Sequence, residues 1–231
     1  MQKAKIARVV GIVAIVVVIV AAMIASFIQK TPIRDQIWDK DTTIGNLDAK
    51  NYFIIYSDIV CPYCVAFENA IVEHQEEFEK YIAENDVLVE VRLSDFLYEY
   101  GQANPISSRY SAEAIYCAKK EGKFWDYYDH VIASVWKDYF KDMGKSAFSE
   151  MDKQGKDYWI RLGMEVGLSS DFESCVKNDE TLDEVIEVAA KTVKNINGMP
   201  YFKFNNYISS GFDMSWGWEY VKMYFDSGLK S

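Results

Sequence analysis

The chain has 231 residues, 50% of them hydrophobic, enough for one well-buried domain with room for an insertion. Its formal net charge is −10 and its sequence pI about 4.8. A surface that acidic repels phosphate backbones and excludes nucleic acid as a natural partner, and scattered acids, as in VEHQEEFEK, describe a solvated face.

Lys3, Lys5 and Arg8 precede an uncharged apolar run from Val9 to Ile28. At about 1.5 Å per residue such a helix spans roughly 30 Å, the hydrocarbon thickness of a bilayer. The run is longer than the apolar core of a secretory signal peptide, so residues 9–28 are expected to be a retained transmembrane signal anchor. Ala21, Ala22 and Ala25 leave a cleavable signal as the alternative. The basic flank 1–8 belongs on the cytoplasmic side, which places the rest of the chain outside the cytoplasm at a single-pass cell-membrane anchor. Residues 29–42 are polar and weakly patterned and read as a stalk.

The first clear element is the strand NYFIIYSD, 51–58. A single helix is predicted next, with Cys64, Phe67, Ile71, His74, Phe78 and Tyr81 as its apolar stripe and Glu68, Glu73, Glu76 and Glu77 on other faces. VLVEVRL, 87–93, is a second strand. From about Gly101 to Ile196 the pattern is helical, with Phe124, Tyr128, Val131, Val135 and Tyr139 in one stripe. Ser170 with Glu173 and Thr181 with Glu184 have capping-box spacing, and 141–156 is a predicted loop. YFKF and YISS flank Asn205-Asn206 as a hairpin, and Ser215 is placed to cap a last helix carrying Trp216, Val221, Tyr224 and Phe225.

The chemistry lies in Cys61-Pro62-Tyr63-Cys64, between strand and helix. Thiol–disulfide exchange needs a thiolate that attacks and a second thiol close enough to resolve the mixed disulfide. A helix N-terminus offers free N–H groups and a dipole that favour negative charge at position 61. Pro62 suits the first helical turn, where an N–H is not needed. Cys64 falls one turn on, so Cys61 is the expected nucleophile and Cys64 the resolver. Asp58 either opposes the thiolate or, as preferred, hydrogen-bonds to backbone at the strand end. Zinc requires more thiol or histidine ligands than the chain spaces correctly. His74, ten residues from Cys64 on the predicted helix, and His130 are expected to pack at the edge of the core. Two inert buried thiols are the remaining alternative. Cys117 and Cys175, 58 residues apart, are expected to form a structural disulfide in preference to two free thiols. In the chain-entropy model a loop that long contributes on the order of 4 kcal/mol. The aromatics, 16 Tyr and 6 Trp among them, are mostly core at helical spacing; those around Tyr63, Met199 and Tyr201 are candidates for an apolar lip that holds unfolded substrate.

Three stretches in this order, TIGNLDAKNYFIIYSDIVCPYC, SAEAIYCAKKEGKFWDYYDHVI and NINGMPYFKFNNYISSG, resemble the DsbA-like thiol–disulfide oxidoreductases of the thioredoxin superfamily. The resemblance runs from about Thr43 onward. It implies an α/β thioredoxin-like domain over 43–231 with a large helical insertion at about 101–196, behind the one N-terminal transmembrane helix. It makes Cys61 and Cys64 the redox pair, Pro62 and Tyr63 the dipeptide that tunes its potential, and Met199-Pro200 a cis-proline loop that faces the cysteines and offers backbone to substrate. No cofactor beyond the Cys61–Cys64 disulfide and no metal are expected. Met199 departs from the smaller or β-branched residue of many relatives. Ile55 stands where several carry a buried acid near the inner cysteine. The expected activity is dithiol oxidation of exported cysteine-containing proteins, with a membrane redox partner that reoxidises the pair. The alternatives are a reductase or isomerase using the same site, or a tethered binding or chaperone module without redox chemistry.

Overall fold

The computed structural model describes residues 36–101, 103–142, 149–194, 196 and 198–231. The predicted flank 1–8 and anchor 9–28 lie outside the described residues, among which no helix is long and apolar enough to cross a membrane.

Five strands form one sheet in the order β1-β3-β2-β4-β5. They are β1 (Thr43–Ile44), β2 (Asn51–Ser57), β3 (Val87–Leu93), β4 (Tyr201–Phe204) and β5 (Tyr207–Ser210). β2 and β3 run parallel with Ile55 opposite Val91, and the other pairings are antiparallel. The two central strands are almost continuously buried, as expected of parallel strands covered on both faces. On one face Phe53, Phe202 and Phe204 meet Phe67 and Phe225 from the helices, with ring centroids of Phe53 and Phe225 4.2 Å apart.

Alternation puts Tyr52, Tyr56, Glu90 and Arg92 on the opposite face. There Arg92 Nη2 is 2.7 Å from Glu90 Oε2, deep in the protein. Glu90 Oε1 also accepts the N–H groups of Trp38 and Asp39 at 2.7 and 3.0 Å, and the Arg92 guanidinium lies 3.9 Å over the Trp38 ring. The stalk predicted over 29–42 is therefore docked on the sheet from Trp38 onward. The two-residue β1 that follows is too short for any periodicity to reveal.

The helices are α1 (Pro62–Val72), α2 (Gln75–Glu84), α3 (Phe96–Tyr100), α4 (Ile106–Lys120), α5 (Phe124–Val135), α6 (Lys156–Glu165), α7 (Ser170–Lys177), α8 (Leu182–Thr192) and α9 (Trp218–Leu229). A π-helical turn at Trp136–Phe140 extends α5. The single helix predicted through Cys64 and Tyr81 is broken into α1 and α2. The Ala70 carbonyl, which a continuing helix would give to the His74 N–H, is taken by His74 Nδ1 at 3.1 Å, and the His74 N–H turns to the Ile71 carbonyl. His74 thus sits at the break, stacked on Trp218, and His130 pairs with Glu165 at 2.9 Å.

Helices begin at both positions as expected, α7 at Ser170 and α8 directly behind its N-cap Thr181, but neither capping box forms. Helix α7 is capped one residue earlier, by Ser169 Oγ accepting from the Asp171 N–H. Thr181 precedes α8 but spends its hydroxyl on the Glu113 carbonyl, while Glu184 pairs with Lys119. Ser215 is likewise held in a turn by Asp213, so α9 starts at Trp218 behind Gly217. Of the predicted loop 141–156, residues 143–148 are not described, and Met151 is fully buried in the core. The Asn205-Asn206 hairpin forms as expected, with Asn205 at φ +50°.

Packing at the C-terminus is tight enough to test. A Cβ on Gly228 would stand 2.1 Å from the Phe204 ring, which is itself clamped by Phe53 and Phe225. Gly228→Ala should lower stability by about 2 kcal/mol in denaturant titration, with the redox chemistry of the folded fraction intact.

Candidate redox site

Strand β2 ends at Ser57, and four residues turn the chain into α1. Asp58 holds this turn. Its side chain is fully buried: Oδ1 accepts the Val60 N–H at 3.1 Å, and Oδ2 accepts the Leu97 N–H and the Ser108 hydroxyl at 2.8 and 2.7 Å. These bonds tie the active-site turn to α3 and α4, and they realise the preferred reading of Asp58 as a backbone anchor. Burial pushes its carboxyl up to about 7, against those three hydrogen bonds.

Cys61 is the N-cap of α1, with extended backbone, and Pro62 occupies the first turn. The Cys64 N–H donates to Cys61 Sγ at 3.4 Å, so an orphan amide of the helix start faces the outer sulfur. Both cysteines are free thiols and both are buried, Cys61 4% and Cys64 1% exposed. Burial, with Cys61 and Glu68 adding to it, drives the Cys64 thiol well above the ordinary thiol range. Cys64, the deeper of the two, follows Cys61 by three residues, one turn along α1. Tyr63 is 49% exposed beside them.

The register brings the second predicted segment to the same end of the sheet. Tyr56, near the end of β2, is opposite Tyr201, the first residue of β4, and Met199-Pro200 immediately precedes it. The Met199–Pro200 peptide is cis. Pro200 is buried and its carbonyl accepts the Gly211 N–H at 3.0 Å, while Met199 beside it is half-buried. Cys117 and Cys175 are joined as a disulfide between α4 and α7, with Cα atoms 5.9 Å apart. Among the described residues no cluster of acids, histidines and cysteines is arranged to hold a metal ion.

One residue of the site was assigned to the wrong environment by its residue type. Glu68, read as one of the acids off the apolar stripe, is 3% exposed and lies one turn beyond Cys64. Burial pushes its carboxyl up to about 8, tempered by the hydroxyls of Ser57 and Tyr128. Those hydroxyls stand nearby without closing a hydrogen bond to it. The only sequence signal was position: four residues from Cys64, on the face that the helix turns inward.

The thioredoxin family model matches residues 38–219, most of the chain. The chain belongs to the thioredoxin family. Among solved structures, this thioredoxin-family chain is similar to a thioredoxin-like oxidoreductase from Silicibacter pomeroyi DSS-3, with 18% identity and a TM-score of 0.57 over 88% of this chain and 99% of that one. It is also similar to the thiol–disulfide exchange protein alpha-DsbA2 of Wolbachia pipientis, with 16% identity and a TM-score of 0.54 over 84% and 91% of the two chains. A third similar structure is the reduced disulfide bond oxidoreductase DsbG of Mycobacterium tuberculosis, with 18% identity and a TM-score of 0.53 over 81% and 86%. At these identities the likeness is one of fold. No curated protein matches the sequence.

Proposed function

We propose that the protein is an extracytoplasmic thiol–disulfide oxidoreductase of the DsbA type that introduces disulfides into exported proteins through Cys61–Cys64. A substrate thiolate attacks Cys61 of the oxidised pair, a mixed disulfide forms, and the substrate's second thiol displaces Cys61 and leaves the pair reduced. A membrane oxidant then restores the disulfide. The observation that carries this reading is the Cys64 N–H directed at Cys61 Sγ at the start of α1. An amide there stabilises negative charge on the outer sulfur, and stabilising the reduced form makes the disulfide a stronger oxidant. The Cys117–Cys175 disulfide supports an oxidising compartment, and the apolar run 9–28 behind a basic flank supports a tether in the cell membrane.

The reduction potential of the Cys61–Cys64 pair tests the direction of flow. Equilibration with glutathione should place it well above the thioredoxin value of about −270 mV, toward the −120 mV of strong oxidants. A potential near the thioredoxin value would make the protein a reductase.

A further inference from the structure

The two edges of the sheet are guarded unequally. At one edge β1 has two residues, and the Thr43 carbonyl accepts the Trp125 indole N–H at 3.1 Å. At the other edge stands β5. Its register pairs Tyr207 with Phe204 and Ser209 with Phe202, and the Gly211 N–H continues the ladder to the Pro200 carbonyl. Main-chain groups alternate along an antiparallel ladder, so the N–H and C=O of Ile208 and Ser210 point away from β4. Among the described residues none of these groups has a hydrogen-bond partner.

Natural edge strands are blunted by charge, proline, a bulge or a covering element. Residues 205–212 contain neither a charged residue nor a proline, in a chain that is 26% charged. Ile208 is 56% exposed, the most exposed large apolar side chain among the described residues. The strand is bounded by Asn205 at φ +50° and Gly211 at φ +80°, and the Gly211 carbonyl is taken by the Tyr224 hydroxyl at 2.8 Å. The open main chain is thus confined to Ile208 and Ser210.

This edge reaches the redox end of the sheet. Tyr56, Tyr201 and Ser210 lie abreast across β2, β4 and β5, and Gly211 pairs with Pro200 of the cis peptide. Three strand spacings put a chain added beside Ser210 about 14 Å from Tyr56, which about five extended residues span.

We propose that the free edge of β5 holds an unfolded client as a sixth strand while a cysteine further along the client reacts at Cys61. This rests on the thiol–disulfide reading above. Main-chain pairing at a sheet edge tolerates clients that share no sequence. Holding the client there raises the concentration of its thiols at Cys61. A four-residue edge is roughly 13 Å long, so the hold is weak and releases between turnovers. A second copy as occupant would need far more surface, since stable interfaces bury about 1,200–2,000 Å². Continuity with the Met199–Pro200 loop selects the client.

The test follows single turnovers of the oxidised full-length protein with reduced, unfolded ribonuclease and with glutathione, which has no strand to add. Ile208→Pro removes an outward N–H that the β4 ladder does not use, a place where an edge strand accepts proline. The ratio of the ribonuclease to the glutathione rate constant should fall about tenfold. Ile208→Thr keeps the N–H and the strand propensity but loses the apolar contact, and its ratio should stay within about twofold of the unmodified protein. In the unmodified protein, hydrogen exchange of the 208 and 210 amides should slow about tenfold when ribonuclease with blocked thiols is added, while the 207 and 209 amides keep their rates. An unaltered ratio in Ile208→Pro, or unprotected 208 and 210 amides should that variant not fold, would overturn the inference. An equal loss in Ile208→Thr would overturn it too, by making the edge an apolar patch. So would a dimer in sedimentation that Ile208→Pro abolishes, which would give the edge to a second copy. An unmodified protein that oxidises neither ribonuclease nor glutathione would instead overturn the redox reading itself.

Discussion

Cys64→Ala is expected to arrest the protein with its substrate attached. Cys61 keeps its place at the start of α1, with Pro62 in the first turn and Asp58 bracing the turn behind it, so it still reacts with disulfides. What disappears is the sulfur one turn away that cuts the mixed disulfide. Turnover on a reduced model protein should fall by about three orders of magnitude, because the two sulfurs act as one unit. Adducts linked through Cys61 should accumulate on non-reducing gels and vanish with Cys61→Ala. Truncating Cys64 removes a side chain that is already small, so the fold should survive. Continued turnover in Cys64→Ala, or failure of the variant to trap any disulfide-bonded protein, would leave the pair without the proposed chemistry.

How much of this site was legible in the sequence depended on whether a residue's neighbours in space were also its neighbours in the chain. The cysteine pair, its proline and the strand before it are contiguous, and helix-terminus physics acts over a single turn; they appear where expected. The hairpin at Asn205-Asn206 is local in the same sense. Several failures are cases where a distant partner claimed a polar group. Thr181 keeps the N-cap position but gives its hydroxyl to the Glu113 carbonyl, and Glu184 turns to Lys119. Trp38 and Asp39 read as stalk because nothing near them in sequence shows that Glu90, some fifty residues away, receives their N–H groups. The break between α1 and α2 was hidden because His74 satisfies the apolar period while its ring takes the carbonyl that continuity requires. Glu68 was hidden for another reason, burial without any partner. A glutamate beside an apolar stripe belongs outside by residue type, and only the closure of α5 and the sheet around it puts it inside.

That burial has a measurable consequence for stability. A carboxyl raised from 4.5 to about 8 binds its proton more tightly in the folded protein than in the unfolded chain. Stability from this source is therefore complete below about pH 4.5 and is lost as pH rises toward 8, at about 1.4 kcal/mol per pH unit across the window. Asp58, raised from 3.8 to about 7, acts in the same direction over a lower range. The protein should accordingly be most stable in mild acid and weaken between pH 5 and 9, by on the order of 4 kcal/mol through Glu68 alone. Glu68→Gln keeps the shape and removes the titration. In urea unfolding it should match the unmodified protein near pH 5 within about 1 kcal/mol, and exceed it at pH 9. Parallel stability curves for the two proteins would refute the buried-acid assignment. A core that needed only volume at this position would be better served by an apolar side chain, which carries no such cost at neutral pH.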